Sequence, residues 1–140
     1  PLIKEVKAYT NQIEDTEITI YDAPPGTSCP VIETVKDVDF VLLVTEPTPF
    51  GLHDLKLAVE TLEQLNKEFA VIINRYGIGN EDVEAYCNKN KINIIAKIPY
   101  KKEIAEAYSK GELLYEKFSE VKVQMDNILN SLLLKKKAGL

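Results

Sequence analysis

Four short apolar runs limit most what this chain can become: Ile18 to Tyr21, Phe40 to Val44, Phe69 to Ile73, and Ile92 to Ile98. They are rich in Ile and Val, and several are apolar at consecutive positions rather than in alternation. A strand covered on one face alternates, whereas one buried on both faces is apolar throughout. The runs therefore predict a parallel sheet covered by helices. Between them the period lengthens: Leu52, Leu55, Val59, Leu62 and Leu65 recur at three- and four-residue spacing, one apolar stripe on a helix from about Gly51 to Asn66. Asn80 is placed to cap a helix that has Glu81, Asp82 and Glu84 in its first turn and ends near Asn88. Strand, helix, strand in this order is the α/β signature, with right-handed crossovers expected.

The C-terminal stretch is periodic again. Leu114, Phe118, Val121, Met125, Ile128 and Leu132 step by four and three in alternation, which predicts one long amphipathic helix with Lys135, Lys136 and Lys137 at its negative end. Such a helix packs on its own sheet; a dimer seam and a basic membrane-surface helix are the other readings of the same spacing.

Composition narrows the function classes. At 140 residues the chain suits a single domain over 1–140, and 45% hydrophobic with 28% charged residues excludes wholesale disorder. A net charge of -5 argues against nucleic acid as the main partner. No apolar run approaches the roughly 20 residues of a membrane span, and there is no secretory signal. Cys29 and Cys87 are far apart and form no CxxC pair, so reduced thiols and a cytoplasmic setting are expected. The chain opens Pro1-Leu2-Ile3 without an initiator Met, and the reading is that it is a piece of something longer.

The densest chemistry lies in Asp22-Ala23-Pro24-Pro25-Gly26-Thr27. A carboxylate ends an apolar run there, and in open parallel sheets ligands bind at the carboxyl edge of the strands. Such a carboxylate suits a hydrated Mg²⁺, which keeps several waters and takes one or two protein ligands. Gly26 allows close backbone approach to an oxyanion, and the Thr27 hydroxyl is beside it to sense a terminal phosphate. The same residues also read as a strand end followed by a Pro-Gly turn.

The segment Asp22-Ala23-Pro24-Pro25-Gly26-Thr27-Ser28-Cys29-Pro30 resembles the Walker B and switch II region of MinD/ParA-type P-loop ATPases. It is most similar to the subgroup that carries an inserted ferredoxin-like domain with two 4Fe-4S clusters. The likeness extends through Thr45-Glu46-Pro47-Thr48-Pro49-Phe50-Gly51-Leu52-His53-Asp54-Leu55, Asn74-Arg75-Tyr76-Gly77, Ile98-Pro99-Tyr100, and Glu103 to Gly111. It covers nearly the whole chain. The resemblance implies a three-layer α/β fold, a mostly parallel sheet with flanking helices. It also implies ATP and Mg²⁺ as cofactors, with Asp22 positioning Mg²⁺ through water and Gly26 and Thr27 on the loop that responds to loss of the terminal phosphate. Asn74 then meets adenine, with Arg75 beside it and Pro99 against the base.

The departures are equally informative. None of the six glycines forms a Gly-rich loop with Lys and Ser/Thr, so the chain reads as the C-terminal half of a P-loop NTPase without its Walker A strand. No CxxCxxC run exists, so the 4Fe-4S insert is absent from this chain. The expected function is the switch and adenine side of a nucleotide-switch ATPase linked to iron–sulfur or electron-transfer chemistry; the alternative is a non-catalytic α/β interaction module. Alone, the chain is expected to hydrolyse no ATP and to bind nucleotide feebly. The missing strand predicts self-association as a homodimer or a rearranged sheet, and the subgroup implies an iron–sulfur or redox partner. Cys29 as a reactive thiol, His53 as a base, and Lys101 and Lys102 as phosphate contacts are weaker candidates, each with a plainer structural reading.

Overall fold

The computed structural model describes residues 2–10 and 18–139. Three of the four apolar runs become strands: β1 (Val41–Thr45), β2 (Phe69–Tyr76) and β3 (Ile94–Pro99). They pair in parallel in the order β1-β2-β3, so β2 is central, with Val41 beside Phe69 and Ile72 beside Ala96. The helices are α1 (Leu2–Thr10), α2 (Cys29–Val35), α3 (Pro49–Gln64), α4 (Asp82–Lys89), α5 (Lys102–Ser109), α6 (Leu114–Lys117) and α7 (Ser119–Lys137).

Parallel neighbours need crossovers, and α3 and α4 supply them. Alternation along β2 sends Val71 and Ile73 to one face, where they cluster with Leu55 and Val59 of α3 and Val83 and Cys87 of α4, all buried. Burying each large aliphatic side chain contributes about 1.5–3 kcal/mol. Ala70, Ile72 and Ala96 are buried on the other face, which α7 covers. Ion pairs fix the course of α7. Lys101 meets Glu120 at 2.7 Å beyond the end of β3, and Lys135 meets Glu68 at 2.6 Å before the start of β2. Hence α7 runs antiparallel to the strands, and the architecture is the expected three layers.

Four expectations need correction. Ile18–Tyr21 is not a strand; Ile20 is 83% exposed and the run joins no sheet. Strand-like composition is a fit to a pleated, half-buried surface, and no ladder partner is offered to this run. Nor do the strands close up over it, because β1 remains an edge. The Asn80 cap lies one residue off: Glu81 is the N-cap of α4, and Asn80 Oδ1 accepts from the Asp82 N–H at 3.2 Å just ahead of it.

The long C-terminal helix is two. Phe118 adopts an extended conformation (φ −121°, ψ 111°) that separates α6 from α7. Tyr115 holds the fold-back by donating its hydroxyl to Asp126 at 2.8 Å. Lys135, Lys136 and Lys137 do close α7, as its negative end favours. The helix at α2 was not expected from the sequence, although Pro30 in its first turn is a common start.

Candidate functional site at the carboxyl edge of the sheet

The three strands end together, which gathers Thr45 and Glu46, Asn74 to Tyr76, and Pro99 and Tyr100 along one edge. The β1 end is fixed first. Thr45 is buried and donates its hydroxyl to the Gly51 carbonyl at 2.9 Å. Thr48 caps α3 by accepting from the Gly51 N–H at 3.0 Å, with Pro49 at the first helical position. A Cβ on Gly51 would lie 2.2 Å from the Glu46 carbonyl oxygen, and one on Gly79 would lie 1.4 Å from that of Pro47. Two glycines thus pack closely against the Glu46-Pro47 turn. No side chain larger than hydrogen fits at either place.

The β2 end is bulged. Ile73 lies beside Lys97, but the next pair is Tyr76 with Pro99, so the ladder is irregular between them. Arg75 occupies the irregularity with φ +53°, and its N–H donates to Asn74 Oδ1 at 2.9 Å. The Asn74 amide oxygen is therefore folded onto the adjoining backbone, and Nδ2 remains as its donor. Beyond the bulge the Tyr100 N–H donates to the Tyr76 carbonyl at 2.9 Å, which restores the ladder. The Arg75 guanidinium lies 3.5 Å from Glu46 and 5.1 Å from the centre of the Tyr100 ring. Side chains from all three strand ends meet at that one residue.

Below this edge, Lys97 pairs with Glu84 and lies 4.9 Å over the Tyr76 ring. The hydrogen bond to Glu84 holds the Lys97 ammonium above its ordinary range. Two open pockets of about 270 and 280 Å³ flank the edge: one beside Glu46 and Thr48, the other beside Tyr76 and Glu84.

The residues expected to serve metal and switch are on the segment ahead of α2. Asp22, Gly26 and Thr27 are exposed, on a segment without strand or helix that runs into α2. Asp22 therefore does not terminate a buried strand. Lys7 contacts both sides of this segment: its Nζ donates to the Glu33 carbonyl at 2.7 Å and lies 5.9 Å from the Tyr21 ring. Among the described residues no group of three His, Cys, Asp or Glu is gathered for direct metal ligation. An exposed lone carboxylate fits a hydrated Mg²⁺ held through water and nothing tighter.

Asn74, Arg75 and Pro99 are thus brought together, and no described contact joins them to Asp22, Gly26 or Thr27. Of the weaker candidates, His53 and Cys29 are exposed, and Lys101 is engaged by Glu120. Sequence reasoning missed Glu46 and Tyr100 as partners of Arg75. Glu46 carried a signal, since it too is a carboxylate directly after an apolar run.

A parallel sheet between helices, with polar residues collected at its carboxyl edge, defines a three-layer α/β protein. Its fold is that of MinD. The MinD in a MinC:MinD cell division complex from Aquifex aeolicus superposes with a TM-score of 0.73 at 22% identity, covering 94% of this chain and 57% of that one. The cell division ATPase MinD of Pyrococcus furiosus gives 0.72 at 20% identity over 95% and 57%.

In sequence, the chain is similar to an uncharacterized protein of Methanocaldococcus jannaschii, 37% identical over 129 residues, 92% of this chain and 44% of that protein. An uncharacterized ATP-binding protein of the same organism is 28% identical over 90% of this chain and 52% of its own length. An iron-sulfur cluster carrier protein of Aquifex aeolicus is 27% identical over 69% and 30%. The chain spans about half or less of the length of these relatives. No family model matches it. No helix among the described residues is long and apolar enough to cross a membrane.

Proposed function

We propose that this chain forms the switch and base side of a MinD/ParA-type nucleotide-switch ATPase, with the phosphate-binding loop on polypeptide outside it. What supports this most is the meeting of Asn74, Arg75 and Pro99 at one strand edge, through the bulged register that puts Tyr76 beside Pro99. Asn74 and Arg75 hold the base with Pro99 packed against it. Asp22 steadies a hydrated Mg²⁺, which when bound neutralises phosphate charge. Gly26 and Thr27 respond to the terminal phosphate, and their exposed segment is free of the sheet ladder that would resist such a change.

In its full form the protein works in the cytoplasm as a homodimer. It serves iron–sulfur or electron-transfer chemistry with a redox partner, and its 4Fe-4S clusters are carried on an insert outside this chain. Likeness to an iron-sulfur cluster carrier protein supports that assignment. The second reading, a non-catalytic interaction module, draws on the absence of a Gly-rich Lys-Ser/Thr loop among the 140 residues.

Calorimetry with Mg-ATP tests the division of labour. The 140-residue chain alone is expected to hydrolyse nothing and to bind weakly. In the protein at full natural length, Asp22→Asn abolishes hydrolysis while nucleotide still binds, and Asn74→Ala weakens ATP about fivefold to tenfold, as one lost hydrogen bond would. Micromolar ATP affinity in the short chain, or full hydrolysis by Asp22→Asn, refutes the proposal.

A further inference from the structure

Among the lysines with a described ion pair, Lys7 is the least exposed. Its side chain is 12% exposed, against 38% or more for each of the others. A lysine ordinarily keeps its ammonium in water, so one turned inward is held there by its partners.

Those partners come from two parts of the chain. Nζ donates to the Glu33 carbonyl at 2.7 Å and lies 3.4 Å from Asp37, which joins α1 to the carboxyl end of α2. The Glu33 carbonyl is in the last turn of α2, where carbonyls lack a partner within the helix and a cation is favoured. On the other side Nζ lies 5.9 Å from the centre of the Tyr21 ring, near the outer limit of cation–π attraction. Between residues 18 and 28, Tyr21 and Ala23 are half-buried and the rest are exposed. Asp22 directly follows Tyr21, so the ring over Lys7 is a tether one residue from that carboxylate.

We propose that Lys7 is a positioning residue for Asp22. Held between α1 and α2, it fixes Tyr21 and thereby where the neighbouring carboxylate stands to steady a hydrated Mg²⁺. This rests on the nucleotide reading given above. An ammonium is a point charge with three donors, which suits partners lying in different directions. The hold is firm toward α2 and weak toward Tyr21. The segment can therefore yield on loss of the terminal phosphate while α1 and α2 stay joined.

The test uses the protein at full natural length and two readouts. Lys7→Met keeps the stem and removes the ammonium. Without nucleotide, amide hydrogens of residues 20–36 are expected to exchange several-fold faster. The Mg²⁺ needed for half-maximal ATP hydrolysis is expected to rise about threefold to fivefold, with ATP affinity in EDTA unchanged. Lys7→Arg, which restores a cation with its donors, should recover most of the loss. Tyr21→Phe keeps the ring and should match the parent. Tyr21→Ala leaves α1 on α2 and should still raise the Mg²⁺ requirement, and adding it to Lys7→Met should change little further, because both remove one tether.

If exchange over 20–36 is unchanged in Lys7→Met, or the Mg²⁺ requirement is unchanged in Lys7→Met and Tyr21→Ala, or the two effects add, the positioning role is wrong and the nucleotide reading survives. A parent that hydrolyses no ATP at any Mg²⁺ concentration removes both.

Discussion

The carboxyl edge of the sheet and the Asp22 segment both carry residues that resemble one ATPase family, yet they differ physically in one respect. Asn74, Arg75 and Pro99 stand on two hydrogen-bonded strands above a buried cluster, so their spacing is set by the ladder and by Ile73 and Val71 beneath it. Asp22, Gly26 and Thr27 have no ladder. Their neighbourhood is set by Lys7, reaching from α1 to Tyr21 and to Glu33 of α2. A motif holds its geometry only as firmly as the scaffold under it.

The largest expected contrast is in thiol chemistry. Cys29 is exposed at the start of α2, whereas Cys87 is fully buried in the core, where burial and then Glu84 push its thiol up from the usual value. A soluble alkylating reagent should modify Cys29 at once and Cys87 roughly a thousandfold more slowly, limited by opening of the core. Similar rates would mean that the two regions are equally accessible, and the contrast would be lost.

Next come truncations of side chains. Ile73→Ala should destabilise by about 2–5 kcal/mol, because it empties a site at the centre of the packed cluster. Ile20→Ala, at 83% exposure, should stay within about 0.5 kcal/mol. Denaturant titration reads both. A comparable loss from Ile20→Ala would place that run in a buried strand after all.

The smallest effect sharpens the electrostatics beneath the carboxyl edge of the sheet. Lys97 has its pKa raised by Glu84, so the pair's contribution is complete below the unfolded lysine pKa of about 10.4 and fades as pH rises through the higher folded value. Glu84→Gln should therefore cost about 0.5 kcal/mol or less between pH 7 and 9, and nothing once Lys97 is deprotonated. A gap that widened with alkaline pH would contradict the pairing.

Much of this was legible in the residues. The runs at β1, β2 and β3 and the stripe of α3 announce themselves through period and β-branching, because burial on both faces leaves little freedom in composition. Ile18–Tyr21 misled for a related reason. Its residues suit a strand, but strandedness is conferred by a neighbour, and a neighbour cannot be read from the run itself. The break at Phe118 was hidden because the four-and-three spacing continues across it unchanged. The Arg75 bulge had no signal at all, since arginine is not a residue that marks left-handed backbone. Glu46 was visible as a residue and invisible as a partner, because its role depends on two strand ends distant in sequence.

One contact at the opposite rim has a consequence for assembly. The Lys97 N–H on β3 donates to Gln124 Oε1 of α7 at 2.8 Å, so a side chain sits where another polypeptide would have to zip on. On this flank at least one backbone donor of β3 is already engaged, whereas β1 is the other edge of the described sheet. A chain pairing edge to edge with β3 would first have to displace Gln124 from that donor.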